Sequence, residues 1–230
     1  MSKRNKLQKF AELLQFSNVY EHFDLDSDTL LGPGGSPARL AGRWQEVVFG
    51  NDHPITLELA CGRGEYSLEL ARRYPASNFL GVDIKGARIW KGARTALQQA
   101  LPNVAFLRAR IEHLRRFFAA GEVDEIWITF PDPFLKKSKA NRRLTSARFL
   151  DTYRHILKPG GRVHLKTDNE LLYHFTLNTA RDHPKARLVC AEGDIYARHL
   201  LWPDLDIKTY YERRHLAEGR AIKYIRLRLE

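Results

Sequence analysis

From Ile55 onward, short apolar runs alternate with segments whose apolar residues recur every three or four positions. Compact runs bounded by turn residues read as buried strands, and the 3.6-residue recurrence reads as helix. Strands are therefore expected at 55–60, 78–83, 104–107, 124–130 and 162–167, with two more at 187–191 and 221–229. Helices are expected between them at 66–74, 87–101, 111–120, 145–157 and 169–183. Pro75, Pro102, Gly121 and the run Pro159-Gly160-Gly161 supply the stops. This alternation predicts an α/β fold, a mostly parallel seven-stranded sheet with helices on both faces. Such a sheet binds ligands beyond the carboxyl ends of its strands, so the loops after those strands are where chemistry is to be sought.

Residues 1–40 have a different texture. Lys3, Arg4, Lys6 and Lys9 stand beside Leu7, Phe10, Leu13, Leu14 and Phe16, which predicts a short basic helix, and residues 32–37 break it as a loop. A further helix is expected at 43–49. The reading is a basic N-terminal extension over 1–40 and one domain over 41–230. The basic start is not followed by an apolar stretch, so a secretory signal is not expected. No apolar run is long enough to cross a bilayer.

Charge sharpens the picture. Lys plus Arg number 38 against 27 Asp plus Glu, a formal net charge of +11 over 230 residues. That excess points to a polyanionic partner, most often nucleic acid. Two cysteines, Cys61 and Cys190, cannot build a disulfide framework, and the histidines show no metal-ligand spacing with them. A reduced, cytoplasmic protein without metal is expected.

The first candidate site is Glu58-Leu59-Ala60-Cys61-Gly62-Arg63-Gly64-Glu65, between the first strand and the first helix. Gly62 and Gly64 permit a tight turn and close approach of a ligand. Asp83 ends the next strand, twenty-one positions after Gly62, a spacing that suits a carboxylate on ribose hydroxyls. A dinucleotide would need a third glycine at position 67, which is Ser67, and Glu65 at the helix start would repel a diphosphate. S-adenosylmethionine carries a sulfonium and an ammonium and no phosphate, so these acids favour it over a nicotinamide cofactor.

The second candidate is Phe130-Pro131-Asp132-Pro133-Phe134, directly after the fourth strand. Each proline fixes its own φ and restrains its predecessor to extended conformations, which pins Asp132 at the sheet edge. Phe134 offers a ring for stacking. Lys136, Lys137, Lys139, Arg142, Arg143 and Arg148 follow, a run fitted to phosphates. Lys166-Thr167-Asp168-Asn169 ends the fifth strand; Thr167 or Asp168 caps the next helix or adds a polar group to the site. Thr209-Tyr210-Tyr211-Glu212 precedes the last strand, with Thr209 and Glu212 spaced as a capping box.

These motifs, in this order, resemble those of the tRNA (guanine-N7)-methyltransferases, and the resemblance covers roughly residues 55–230. It implies a Rossmann-like class I methyltransferase fold, S-adenosylmethionine as methyl donor, and guanine N7 at position 46 in the tRNA variable loop as acceptor. It implies cofactor contacts from Glu58, Gly62, Gly64, Asp83, Arg110 and Asp132, with Asp132 the catalytic residue. It implies substrate contacts from Lys136, Arg142, Arg143, Asp168, Thr209, Tyr210, Tyr211 and Glu212. The enzyme is expected to act as a monomer or homodimer. Three positions depart from the family pattern. Ala60 stands where a glycine is usual, and Phe134 where tryptophan is usual. Arg110 stands where an aspartate often contacts the cofactor, and a guanidinium accepts no hydrogen bond, so a backbone group or Glu112 must serve instead.

Three rival readings exist: a methyltransferase acting on another RNA or a small molecule, a nicotinamide-dependent oxidoreductase, and a non-catalytic RNA-binding module. The charge argues against a small substrate. Ser67 and the loop acids argue against the oxidoreductase. The binding module leaves the acids at the strand ends without a role.

Overall fold

A computed structural model describes residues 5–230. Lys3 and Arg4 of the expected basic helix lie outside the described residues. The chain divides into two compact units, Met1–Ala119 and Ala120–Glu230.

The first unit opens with α1 (Lys6–Leu13), started by a capping box in which Asn5 and Gln8 exchange side-chain to backbone hydrogen bonds of 2.9 Å. Three short strands follow, β1 (Val19–Glu21), β2 (Leu30–Leu31) and β3 (Pro37–Ala38), then a π-helical turn over Trp44–Phe49. The repeating part is β4 (Ile55–Leu59), α2 (Glu65–Arg73), β5 (Asn78–Asp83), α3 (Gly86–Gln98) and β6 (Val104–Arg108). A 3-10 turn over Ile111–His113 leads into the single turn α4 (Leu114–Phe117). The strand order is β3-β2-β1-β6-β5-β4, with β1, β6, β5 and β4 mutually parallel in sequence of pairing.

Two features of this unit differ from the sequence expectation. Residues 5–40 are built into the unit: β1 extends the sheet, with Val19 opposite Phe106, and the Trp90 indole of α3 donates to Glu12 Oε2 of α1 at 2.8 Å. Strands of two or three residues are too short to show a period, so the pattern did not reveal them. The helix expected at 111–120 is only a 3-10 turn and one α-turn. Phe117 and Phe118 are adjacent and both buried, and the extended backbone of Phe118 ends the helix there. Phe118 is extended and stacks on Trp44 at 5.3 Å, and the Trp44 indole donates to the Phe117 carbonyl at 2.7 Å.

The second unit contains β7 (Val123–Thr129), a 3-10 segment over Lys137–Arg142, α5 (Ala147–Ile156), β8 (Leu157–Thr167) and α6 (Glu170–Asp182). It closes with β9 (Ala186–Glu192), a 3-10 turn over Pro203–Asp206, α7 (Tyr210–Ala217) and β10 (Lys223–Leu229). Its strand order is β7-β8-β10-β9, with β7 and β8 parallel and the last two strands antiparallel. All seven expected strands are present, β4 to β10. Strand β8 starts five residues earlier than expected, straight after α5.

The two faces of this second sheet differ. Register places Ile126, Ile128, Val163, Leu165, Ile225 and Leu227 on one face, an aliphatic surface buried in the core. The other face carries Trp127, His164 and Lys166, with Tyr224 and Arg226 opposite them. Here His164 stacks on Trp127 at 4.1 Å, its Nδ1 lies 2.6 Å from the Tyr224 hydroxyl, and its Nε2 lies 2.9 Å from Glu125 Oε1. Buried polar groups of this kind must be satisfied by one another.

Candidate active site

In the first unit the candidate groups converge on the loop between β4 and α2. Glu58 is buried at the end of β4, and its Oε2 accepts from the Ser67 backbone N–H at 2.8 Å and from Ser67 Oγ at 2.6 Å. Ser67 is the third residue of α2, so the carboxylate caps that helix from the preceding strand. An anion at this end is favoured by the helix dipole. A carboxylate beside the first turn of this helix disfavours a pyrophosphate there. The sequence registers Ser67 only as an absent glycine; its role as a donor to Glu58 is legible only once both are placed.

The turn itself runs through Ala60, Gly62 and Gly64 at φ of +55°, +57° and +63°. Ala60 thus holds a left-handed conformation that favours glycine, which accounts for the glycine usual at that position. A side chain on Gly64 would meet the Phe106 ring at 2.4 Å, whereas one on Gly62 would meet nothing within 4 Å. Asp83, at the end of β5, accepts from Gly62 N–H at 2.9 Å through Oδ2 and from Lys85 N–H at 2.8 Å through Oδ1. A carboxylate has about four lone-pair sites, so Asp83 keeps acceptor capacity on both oxygens. Burial, together with the Glu58 and Asp83 carboxylates, pushes the Cys61 thiol well above its usual range. The same negative field favours a cation in this cradle and disfavours a phosphate. Arg110 is exposed and opens the 3-10 turn after β6.

In the second unit the loop after β7 carries strain. Phe130 and Phe134 bracket Pro131-Asp132-Pro133 with φ of +50° and +42°. The residue before Pro131 was expected to be extended; Phe130 is left-handed instead, and its N–H bonds the Lys166 carbonyl of β8 at 2.9 Å. Strained non-glycine residues cluster at functional sites. Exposed Asp132 accepts from Phe134 N–H at 3.0 Å through Oδ1, an Asx turn that fixes the carboxylate.

The basic run divides into two kinds of residue. Lys136 and Arg142 are exposed, and the Arg142 guanidinium lies 4.9 Å from the centre of the Phe134 ring. Arg143 points inward and is buried. It donates to the Pro133 carbonyl at 3.0 Å and the Phe134 carbonyl at 2.9 Å, and lies 4.4 Å from the Phe175 ring centre. Arg143, expected on a phosphate, here turns its guanidinium onto the backbone of the Pro-Asp-Pro loop.

At the end of β8, Asn169 caps α6 by accepting from Leu172 N–H at 2.9 Å, in place of the expected Thr167 or Asp168. Asp168 instead pairs with Arg220 at 2.8 Å. Thr209 caps α7, accepting from Glu212 N–H at 3.2 Å. Glu212 does not complete the capping box. Its carboxylate is wholly buried, within 2.8 and 2.9 Å of Lys166 Nζ, and accepts from the Tyr196 hydroxyl at 2.7 Å. Lys166 Nζ also donates to the Leu205 and Ile207 carbonyls at 2.9 and 3.0 Å. Glu212, expected among the groups that face substrate, is here an internal anchor. Lys166, part of the strand-end motif singled out in the sequence but given no role there, and Tyr196, which sequence reasoning missed, complete that anchor. The sequence signal for Lys166 was its place beside Thr167 at the end of a strand; Tyr196 carried none. Tyr210 and Tyr211 remain at the surface.

An α/β unit with a glycine turn after its first long parallel strand and acids at the strand ends fits a methyltransferase-like fold. Solved structures agree: the 16S rRNA methyltransferase KamB superposes with a TM-score of 0.62 at 15% identity, over 86% of this chain and 97% of that one. TrmN from Thermus thermophilus superposes at 0.55 with 25% identity, over 83% of this chain and 48% of that one. A family profile described as "Putative methyltransferase" matches residues 52–225. The tRNA (guanine-N(7)-)-methyltransferase of Bacteroides thetaiotaomicron is 47% identical over 98% of this chain and 86% of its own. The protein of the same name from Porphyromonas gingivalis is 52% identical over 81% of this chain and 75% of its own, and that from Christiangramia forsetii 44% over the full length of both. The chain belongs to the tRNA (guanine-N(7)-)-methyltransferase family. Among the described residues no helix is long and apolar enough to cross a membrane.

Proposed function

We propose that this protein transfers a methyl group from S-adenosylmethionine to N7 of guanine 46 in the variable loop of tRNA, forming 7-methylguanosine, and that it does so in the cytoplasm. The observation that carries the cofactor reading is the Glu58 carboxylate capping α2 beside an open Gly62. These residues fit a cationic nucleoside and oppose a dinucleotide. Asp83 would hold the ribose hydroxyls, and Glu58 and the Gly62–Gly64 backbone would line the remainder. When bound, S-adenosylmethionine supplies an electrophilic methyl group on a sulfonium.

The residues of the second unit supply the acceptor side. Guanine N7 carries a free in-plane lone pair and no proton, so no general base has to act before attack. Asp132 accepts hydrogen bonds from guanine N1–H and the exocyclic amine, a donor pair that adenine lacks. Its negative charge also stabilises the positive charge that develops on the purine as the bond to N7 forms. The Asx turn and the Arg143 clamp hold that carboxylate in one orientation, so little reorganisation is needed. Lys136 and Arg142 bind phosphates, and Asp168 with the α7 surface adds further RNA contacts.

Transfer of tritium from methyl-labelled S-adenosylmethionine to unmodified tRNA tests this reading. Label on tRNA supports it. An oxidoreductase or a non-catalytic binding module would give none.

A further inference from the structure

The helices differ in how they balance charge. In α2, Arg72 and Arg73 both reach Glu69, at 2.7 and 3.4 Å, and in α7 Arg214 pairs with Glu218 at 2.9 Å. Helix α3 carries Arg88, Lys91 and Arg94 and contains no aspartate or glutamate. These cations recur every third residue, so successive ones are neighbours on the helix surface and repel one another. An anion from outside the chain relieves that repulsion.

The N-terminal segment brings a further cation to α3. The two helices approach closely: a side chain on Gly86 would meet Phe10 at 2.5 Å and Leu13 at 3.0 Å. Asn18 Nδ2 donates to the Ala93 carbonyl at 3.2 Å, and the Trp90 indole takes up Glu12 of α1. Lys9 Nζ and the Arg94 guanidinium each lie 5.1 Å from the centre of the Trp90 ring. Both residues are half-buried, and Lys91 beside them is exposed. Long basic side chains lie this way when the stem covers apolar surface and the charged head stays in water. Among the described residues, none of Lys9, Lys91 and Arg94 pairs with a carboxylate. Phe10 and Leu13 are spent on α3, which leaves Leu7 as the one large exposed apolar side chain of α1. That is too little apolar surface to enter a lipid interface, so the charge complementarity favours a polynucleotide.

We propose that Lys9, Lys91 and Arg94 form a second phosphate-binding surface, in the first unit, that holds the tRNA backbone outside the variable loop. The inference rests on the tRNA methyltransferase reading above. It adds a grip on the body of the substrate to the contacts of Lys136 and Arg142, which belong to the second unit. Phosphate contacts position a nucleic acid without reading its sequence, and each releases counterions on binding.

The test follows binding of the full chain to unmodified tRNA transcripts over a salt series. The variants are Lys9→Gln, Lys91→Gln, Arg94→Gln, their triple combination, and Arg94→Lys. Arg72→Gln is the control, since it removes one charge from a cation that Glu69 already balances. Each single Gln variant is expected to weaken binding about fivefold near physiological salt and to reduce the slope of log affinity against log salt by about one. The triple variant should reduce the slope by about three. The loss should be the same for tRNAs of different sequence and should appear in KM for tRNA rather than in kcat. Arg94→Lys and Arg72→Gln should keep the wild-type slope, and the thermal midpoints of all variants should stay close to wild type. Wild-type affinity and slope in the triple variant would overturn the surface. An equal change in Arg72→Gln would overturn it too, because the effect would then lie in net charge and not in place. Variants that lose affinity for phosphatidylserine vesicles but not for tRNA would give the surface to a membrane instead. A wild-type enzyme that binds tRNA but transfers no methyl group would sink the functional reading, with the surface still decided by the salt slopes. A wild type that binds no tRNA would sink both.

Discussion

Lys166 Nζ lies 2.8 Å from Glu212 Oε1, and neither side chain is exposed to solvent. The lysine belongs to a strand and the glutamate to a helix forty-six residues later. Burial lowers the Lys166 ammonium below its usual value, and the Glu212 carboxylate works against that shift. Breaking such a pair leaves one uncompensated buried charge, which costs about 3–5 kcal/mol, whereas replacing both partners by apolar groups of similar size is close to neutral. Lys166→Met should therefore lower the thermal midpoint sharply, and Lys166→Met/Glu212→Leu should recover most of it. A double variant as unstable as the single one would show that the hydrogen bonds to Leu205, Ile207 and Tyr196, rather than the charge pair, hold the site.

The two glycines of the cofactor turn should respond differently to the same change. Both have positive φ, so an alanine at either is strained by about 1 kcal/mol. Gly64→Ala also drives a methyl group into the Phe106 ring at 2.4 Å, while Gly62→Ala enters open space. Unfolding is expected to show Gly64→Ala as the far more destabilised. Calorimetry should show that Gly62→Ala folds but binds S-adenosylmethionine less tightly, because its methyl group occupies the cradle.

Acid should act through the polar face of the second sheet. Burial alone would raise the Glu125 carboxyl, but hydrogen bonds and charge from His164 and Arg162 outweigh it and lower the group from 4.5 to about 2. Burial lowers His164 below 6.5, with Glu125 opposing. Both folded-state values are depressed. The unfolded chain therefore binds more protons, and stability is lost as pH falls, first below 6.5 through His164 and then between 4.5 and 2 through Glu125. Glu125→Gln should unfold at a lower temperature than wild type at neutral pH, with the gap narrowing from pH 4.5 downward. A gap independent of pH would place its origin in packing.

Arg142 and Arg143 are neighbours with opposite assignments. Arg142→Ala should weaken tRNA binding and reduce the salt slope by about one. Arg143→Met should leave that slope unchanged while lowering stability by roughly 1.5–3 kcal/mol, the scale for hydrogen bonds made by a charged group. The reverse pattern would return Arg143 to the phosphate-binding set.

Much of this was legible in the sequence because the parallel strands are compact apolar runs and the turns after them are marked by glycine and proline. Glu58, Asp83 and Asp132 were singled out because each follows or ends a compact apolar run, where chain order puts the loops that carry chemistry. What the pattern could not carry is direction. Whether Arg143 faces solvent or core depends on a loop held by two left-handed phenylalanines, and no local rule predicts φ above zero for Phe130 before a proline. Glu212 satisfied the spacing of a capping box, yet a buried lysine from a distant strand outcompeted its own backbone. Strands β1–β3 were invisible for a simpler reason: two or three residues make no period.

In the proposed reaction the methyl group goes to guanine N7 of the tRNA variable loop, with Asp132 aiding the transfer. Unmodified tRNA transcript is incubated with enzyme and methyl-labelled S-adenosylmethionine, then cleaved chemically at 7-methylguanosine and mapped. The expected result is a single cleavage at guanine 46, reduced at least a hundredfold in rate by Asp132→Asn while affinity for S-adenosylmethionine stays within a few-fold, since one electrostatic contact to developing charge is worth roughly that much. Label on another atom or nucleotide, or equal losses of turnover and cofactor affinity in Asp132→Asn, would contradict that reaction and that role for Asp132.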